Sequence, residues 1–243
     1  AITVPANFRD AARQQTIQAA QDAGYPQPIH VIDEPTAAAL YYAFTSPVPL
    51  EGNYVIYDFG GGTLDVSVVS VSGLDVEVKM SDGVAQLGGM DLDRIVHELL
   101  NEKFQAATGS PLTPEDSGMH IAQTESLKEQ LSDFPNRPYD IFSVKHGKVR
   151  VALSQEEFVQ RAMPIFETSM ECVDRALSQA GFAPEAIDGV FMAGGTSSIP
   201  VLKEMLSAKF HLNPVRRNPS QAIALGAAIY AGYRGLSRRP QML

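Results

Sequence analysis

The chain has one cysteine, Cys172, in 243 residues, so an internal disulfide framework is excluded and a reducing compartment fits. Positive charge is also scarce: 19 Lys and Arg against 28 Asp and Glu give a formal net charge of −9. A duplex nucleic-acid binder would normally present a basic face, so that class is set aside. Phosphate binding through backbone amides needs little side-chain charge and stays open. No apolar run reaches the roughly 20 residues of a membrane span, and no basic-then-apolar signal segment opens the chain. Short repeats and low-complexity segments are missing too. What remains, 44% hydrophobic and 19% charged residues, suits a globular chain with one or two sizeable cores in a cytoplasmic setting. "AITVPA" enters a β-branched pattern at once, as an internal piece of a longer chain would.

Along the chain, strand-like and helix-like periods alternate. Residues 1–4 read as a strand and 9–23 as a helix. The run 29–32 is apolar, and "DEPTAAALYYAF" becomes a helix with Pro35 in its first turn. "YVIYDF", "LDVSVVSV" and "LDVEVKMSDG" read as an antiparallel meander. A helix is expected from Asp91, which caps it, then a loop over 108–118 and a second helix over 119–132. "YDIFSVKHGKVRVAL" is a hairpin turning at His146-Gly147. The helical stretch 155–180 holds Pro164, which should kink or divide it; Cys172 sits there as a core residue. "DGVFMA" is a strand, "GGTSSIP" a turn, and helices follow to Phe210 and from Pro219. Arg234, Arg238 and Arg239 read as a solvated helix end. Hairpins together with strand–helix alternation give an α/β class with mixed sheets.

Three short stretches carry chemistry. In "DFGGGTLD" an acid ends an apolar strand, Gly60, Gly61 and Gly62 turn, and a second strand leaves at once. Consecutive glycine amides form a concave nest for phosphate oxygens. Asp58 beside it can hold the water shell of Mg2+, and Thr63 can position a water. The alternative is a glycine-rich hairpin turn with solvated acids. A Walker loop is excluded, because no helix and no Gly-Lys-Ser or Gly-Lys-Thr follows. A protein kinase is excluded as well, because H-R-D-x-x-x-x-N and V-A-I-K are missing. "MAGGTSSIP" puts Gly194 and Gly195 ahead of a helix start, an anion or ribose site; the alternative is an ordinary turn capped by Ser197 or Ser198. "LGGMDLD" puts Gly88 and Gly89 just before another helix, with a plain tight turn as the alternative.

Taken in order, "ITVPANFRDAARQ", "DEPTAAALYYA", "YDFGGGTLDVS", "QLGGMDLD", "TESLKEQLS", "AGGTSSIP" and "NPSQAIALGAAIYA" resemble the seventy-kilodalton heat-shock chaperones, the DnaK class, in the actin-like ATPase superfamily. The resemblance covers essentially the whole chain. It implies an actin-like (ribonuclease H-like) fold, with mixed sheets flanked by helices and an inserted smaller α+β subdomain. The units it implies are residues 1–48 with 217–243 as a partial first-lobe subdomain, 49–87 with 163–216 as the second-lobe nucleotide subdomain, and 88–162 as the insertion. The implied ligands are ATP or ADP, Mg2+ and K+; client polypeptides and co-chaperones would engage the full-length parent. Asp58 would orient the attacking water and the Mg2+ shell, and Gly60 to Thr63 would form a phosphate loop. Glu34 would reach the same Mg2+ shell, and Asp65 would lie by a monovalent cation. Gly88, Gly89, Gly194, Gly195 and Ser198 would border the nucleotide. Glu125, Lys128 and Ser132, at i, i+3 and i+7 on one helix, would meet the adenosine; from spacing alone Glu125 and Lys128 read as a solvated pair. Pro5 and Arg13 match the family's relay between nucleotide state and the peptide-binding domain.

The chain also departs from that pattern. Glu129 and Ser198 stand where the family carries the two arginines that sandwich adenine, Ser220 replaces an acid after "NP", and Met90 replaces one after Gly88-Gly89. The resemblance further places a first phosphate loop, a catalytic lysine and one subdomain upstream of the strand that opens this chain. It therefore implies a fragment with no appreciable ATPase activity and weak nucleotide affinity. Two alternatives stand beside an ATPase: a non-hydrolysing nucleotide- or partner-binding module, and a phosphotransferase of the same superfamily acting on a small molecule. His30, His97, His120, His146 and His211 have no metal-ligand spacing.

Overall fold

A computed structural model describes residues 1–236, with side chains through 233; Arg238 and Arg239 lie outside the described residues, as does the side chain of Arg234. β-branched and aromatic runs form β3 (Glu51–Phe59), β4 (Leu64–Ser72) and β5 (Asp75–Val84). These three make the expected meander, β3 antiparallel to β4 and β4 to β5. The short apolar strand β8 (Gly189–Ala193) then joins β3 in parallel, and the two-residue strand β9 (Val215–Arg216) joins β8, giving the order β5-β4-β3-β8-β9. This is a mixed α/β sheet.

The period of two along β3 splits its residues between two cores. Val55, Tyr57 and Phe59 face a core with α3 (Gly89–Thr108), α6 (Gln155–Ala180) and α7 (Pro200–Phe210). Tyr54 and Ile56 face a second core with α2 (Glu34–Thr45) and the first residue of α8 (Ala222–Leu236). The same alternation puts Asp58 on the α2 face. A register shift between Val68 and Val69 lets β4 switch the face of its apolar residues: Leu64, Val66 and Val68 feed the first core, Val69 and Val71 the second. α1 (Asp10–Asp22) follows β1 (Ile2–Val4), which pairs in parallel with β2 (Val31–Asp33). Residues from the hairpin β6 (Asn136–Ser143) and β7 (Gly147–Ser154) close the far side of the first core with α3 and α5 (Thr124–Asp133).

Five sequence expectations are corrected. The loop expected over 108–118 contains α4 (Pro114–His120), begun by Thr113, whose hydroxyl accepts from Asp116 N at 3.1 Å while Pro114 starts the turn. The helix expected over 119–132 is broken by a 3-10 turn, Ile121–Gln123, before α5. Pro164 does not divide α6, which runs unbroken; one lost ladder bond is outweighed by burial of Phe158, Ala162, Phe166 and Cys172 along the same face. The third helix begins at Gly89 rather than Asp91. Gly88 is its N-cap residue, and Asp91 reaches back from the third position to accept from Gly88 N at 3.0 Å. Ser197 and Ser198 likewise do not cap α7: Ile199 occupies that position with no side-chain bond, and the Ser197 hydroxyl donates to Gly194 O at 2.7 Å.

Candidate functional site: a glycine-floored cleft beside a carboxylate cluster

The β3–β4 turn folds against the start of α3. Gly60 O accepts from Gly89 N at 3.0 Å and from the Thr196 hydroxyl at 2.8 Å, and Gly61 O accepts from Met90 N at 2.8 Å. Two N–H groups that a helix start leaves without partners are thereby satisfied. The approach is so close that a Cβ on Gly88 would lie 2.4 Å from Gly61 O. Gly194 has φ +78° and leaves no room for a Cβ, which would sit 2.3 Å from Phe59 O. Only glycine fits there without strain. By contrast, a Cβ on Gly61 or Gly195 would meet nothing within 4 Å, so these two backbones face open space.

That space is a cleft of about 480 Å³ lined by Gly61, Gly89, Met90, Asp93, Glu125, Lys128, Glu129, Ser132, Asp133, Gly195, Thr196, Ser198, Ile199, Arg216 and Ser220. The structure thus brings together Gly61, Gly89, Glu125, Lys128, Ser132, Gly195 and Ser198 from four separate stretches of sequence. Gly60, Gly88 and Gly194 build the wall behind them, and Gly62 lies over Met90, whose Cε would be 3.1 Å from an added Cβ. Glu125 and Lys128 are not a solvated pair. Lys128 is 7% exposed, its Nζ 2.8 Å from Asp93 Oδ1 and donating to Gly89 O at 3.2 Å. Sequence reasoning missed Asp93, Thr196, Asp133 and Arg216. Asp93 and Thr196 lie inside quoted motifs, and a lysine on the buried face of α5 was a signal for an acidic partner; Arg216 had no signal, because a two-residue strand has no readable period.

Asp58, Glu34 and Asp65 do not line that cleft. They meet with Pro5, Ala6, Pro35, Ser67 and Ser81 around a narrow chamber of about 10 Å³. Register explains the meeting: Asp58 and Asp65 are direct cross-strand partners, and α2 starts at Glu34 over the same face. Like charges directly opposite on a sheet are destabilising. Burial first, then Glu34 and Asp65, push the Asp58 carboxyl up to about 7. Burial, then Asp65 and Asp33, raise Glu34. Burial raises Asp65, partly opposed by the Thr63 hydroxyl. Thr63 itself is exposed and lines neither space. Arg13, the nearby cation, is committed to Asp33. Among the described residues no group of three or more His, Cys, Asp or Glu is arranged to grip a metal ion directly. The crowded carboxylates suit a hard cation by charge, but a chamber of about 10 Å³ has room for about one water, so a hydrated ion would sit outside it. Among the described residues, no helix is long and apolar enough to cross a membrane.

Residues 1–238 match the family profile described as Hsp70 protein. The chain is 35% identical over 240 residues to a chaperone protein HscA homolog of Bordetella petrii, covering 98% of this chain and 38% of that protein. It is 36% identical over 233 residues to the HscA homolog of Burkholderia multivorans, covering 95% and 36%. The HscA homolog of Cupriavidus metallidurans is 35% identical over 231 residues, covering 95% and 36%. The chain belongs to the Hsp70 family. It spans little more than a third of the length of these curated relatives.

Proposed function

We propose that the chain is the later part of the ATPase domain of an Hsp70-like chaperone, binding ATP or ADP with Mg2+ in the glycine-floored cleft and, in the whole protein, coupling nucleotide state to client-peptide binding. The observation that carries this reading is the convergence of Gly61, Gly89 and Gly195 backbone with Glu125, Lys128, Ser132 and Ser198 on one 480 Å³ cleft. At Gly61 and Gly195 open backbone offers amides to phosphate oxygens without side-chain obstruction, while the Gly89 amide is already held by Gly60 O. Lys128, fixed by Asp93 and Gly89 O, adds positive charge at the cleft floor. Glu34, Asp58 and Asp65 are assigned to two hydrated cations outside their narrow chamber, Mg2+ for the first two and K+ for Asp65. A bound Mg2+ would supply charge neutralisation for phosphoryl transfer. Asp58, ionised beside that cation, would accept a hydrogen bond from a water and fix its direction. Thr63, whose hydroxyl engages Asp65, is assigned to holding that loop. Within an actin-like arrangement the units would be 1–48 with 217–243, 49–87 with 163–216, and the insertion 88–162; the cytoplasm is the assigned setting.

One observation favours the alternative of a non-hydrolysing nucleotide-binding module: Asp58 opens into the 10 Å³ chamber and not into the cleft. Titration calorimetry with MgATP and MgADP, beside phosphate release from the full-length parent, separates the readings. Saturable binding with Mg2+-dependent turnover that falls about 100-fold or more in Asp58→Ala supports the ATPase. Binding without turnover supports the module, and absence of binding refutes both.

A further inference from the structure

Two kinds of group line the cleft. Some are backbone: Gly61, Gly89 and Gly195, with Lys128 beside them already paired to Asp93. Others are side chain: Ser132, Ser198 and Ser220, the exposed carboxylates Glu129 and Asp133, and one guanidinium, Arg216. Arg216 has no ion-pair partner among the described residues. It reaches the cleft because β9 pairs with β8, Met192 opposite Arg216. Its neighbour Arg217 turns the other way, its backbone N donating to the Tyr42 hydroxyl at 3.1 Å and its guanidinium to Thr45 O at 2.6 Å.

Arg216 Nη1 donates to Ser198 O at 2.6 Å. A guanidinium hydrogen-bonds in its plane, so this bond uses one in-plane donor of the fork and does not occupy the flat face of the exposed side chain. A fork with one donor already spent is less suited to clamping a phosphate, and Glu129 and Asp133 in the same lining would repel one. A neutral aromatic ring suffers no such repulsion, and its π-face attracts a guanidinium. Resting on the nucleotide reading above, we propose that Arg216 is the base-holding residue of the cleft, stacking on the ring face of a purine nucleotide whose phosphates lie against the glycine backbone. A ring held by its face is not read by its edge, because every base has a π-face. The cleft therefore takes guanine and adenine nucleotides alike.

The test is calorimetry on the 243-residue chain with MgADP, MgGDP and inorganic tripolyphosphate, for wild type, Arg216→Ala and Arg216→Lys. Wild type should bind ADP and GDP within about threefold of each other, and Arg216→Ala should weaken both about tenfold. Tripolyphosphate, lacking a base, should shift by less than about twofold, and Arg216→Lys, which keeps charge without the plane, should recover only part of the loss. Arg216 is exposed on an edge strand, so both variants should retain the wild-type melting profile. A preference for ADP of more than about tenfold, unchanged nucleotide affinity in Arg216→Ala, an equal loss for tripolyphosphate, or full recovery by lysine each overturns the assignment. Wild-type binding of tripolyphosphate but of neither nucleotide more tightly refutes base recognition alone. No binding of any of the three refutes the nucleotide reading and this inference with it.

Discussion

Replacing Asp58 with asparagine removes one of two carboxylates that face each other across β3 and β4. The folded protein holds Asp58 up to about 7 against an ordinary 3.8. Between roughly pH 4 and 7, then, the folded state carries a proton that the unfolded state has released. Stability must fall as pH rises through that window and level off above it. The full shift corresponds to a ceiling of about 4 kcal/mol. Asp58 keeps some solvent contact, and relaxation there lowers the expected penalty to on the order of 2 kcal/mol. Glu34 and Asp65 are raised too and act with the same sign. The carboxyls held low, Asp116, Asp140 and Glu157, lose their contribution only as pH falls below the ordinary carboxylate range, so they are silent here. Asparagine cannot ionise. Melting temperatures of wild type and Asp58→Asn should therefore diverge with pH, the variant gaining about 3–5 °C more at about pH 8 than at about pH 5, an interval that spans about two-thirds of the window, for a chain of this size. Added Mg2+ at the higher pH should narrow the gap by stabilising wild type preferentially. A difference independent of pH, or a variant less stable than wild type at about pH 8, would refute the carboxylate-crowding argument.

Three further perturbations test the packing that supports the site. In α8, a Cβ on Gly226 would lie 1.8 Å from Ala37 O while one on Gly232 would meet nothing; Gly226→Ala should cost about 1–3 kcal/mol by forcing α8 off α2, and Gly232→Ala should add about 0.5–1 kcal/mol, as urea melts will show. Gly194→Ala, at φ +78° against Phe59 O, should destabilise by about 1–3 kcal/mol and weaken nucleotide binding together; calorimetry finding wild-type affinity would separate the turn from the cleft. Lys128→Met should cost about 1–3 kcal/mol by leaving Asp93 uncompensated, and adding Asp93→Asn should restore part of that loss, a coupling that a four-variant stability cycle measures.

What could be read from the sequence was what local backbone chemistry dictates. The meander was legible because its strands carry β-branched runs between glycine turns, and the cleft floor because Gly60 to Gly62, Gly88-Gly89 and Gly194-Gly195 are expensive unless close approach requires them. The start of α4 was legible too and passed over: Thr113, Pro114 and Asp116 form a capping box, hidden within a stretch whose Gly, Ser and Pro content reads as loop. Convergence of side chains was another matter. Asp58 and Asp65 are visible as two acids flanking a glycine turn, yet their conflict exists only once β3 and β4 lock in register and α2 sets Glu34 above them. Lys128 faces Asp93 across two helices separated by α4 and a 3-10 turn, and Arg216 reaches the cleft through a two-residue pairing with β8. Each of those contacts is set by sequence separations of tens of residues or by a strand too short to show a period. On the nucleotide reading proposed above, phosphates would meet backbone that announces itself as glycine, and the base would meet side chains delivered by tertiary pairing, which is where this chain's own residues, Glu129, Ser198 and Arg216, are free to differ.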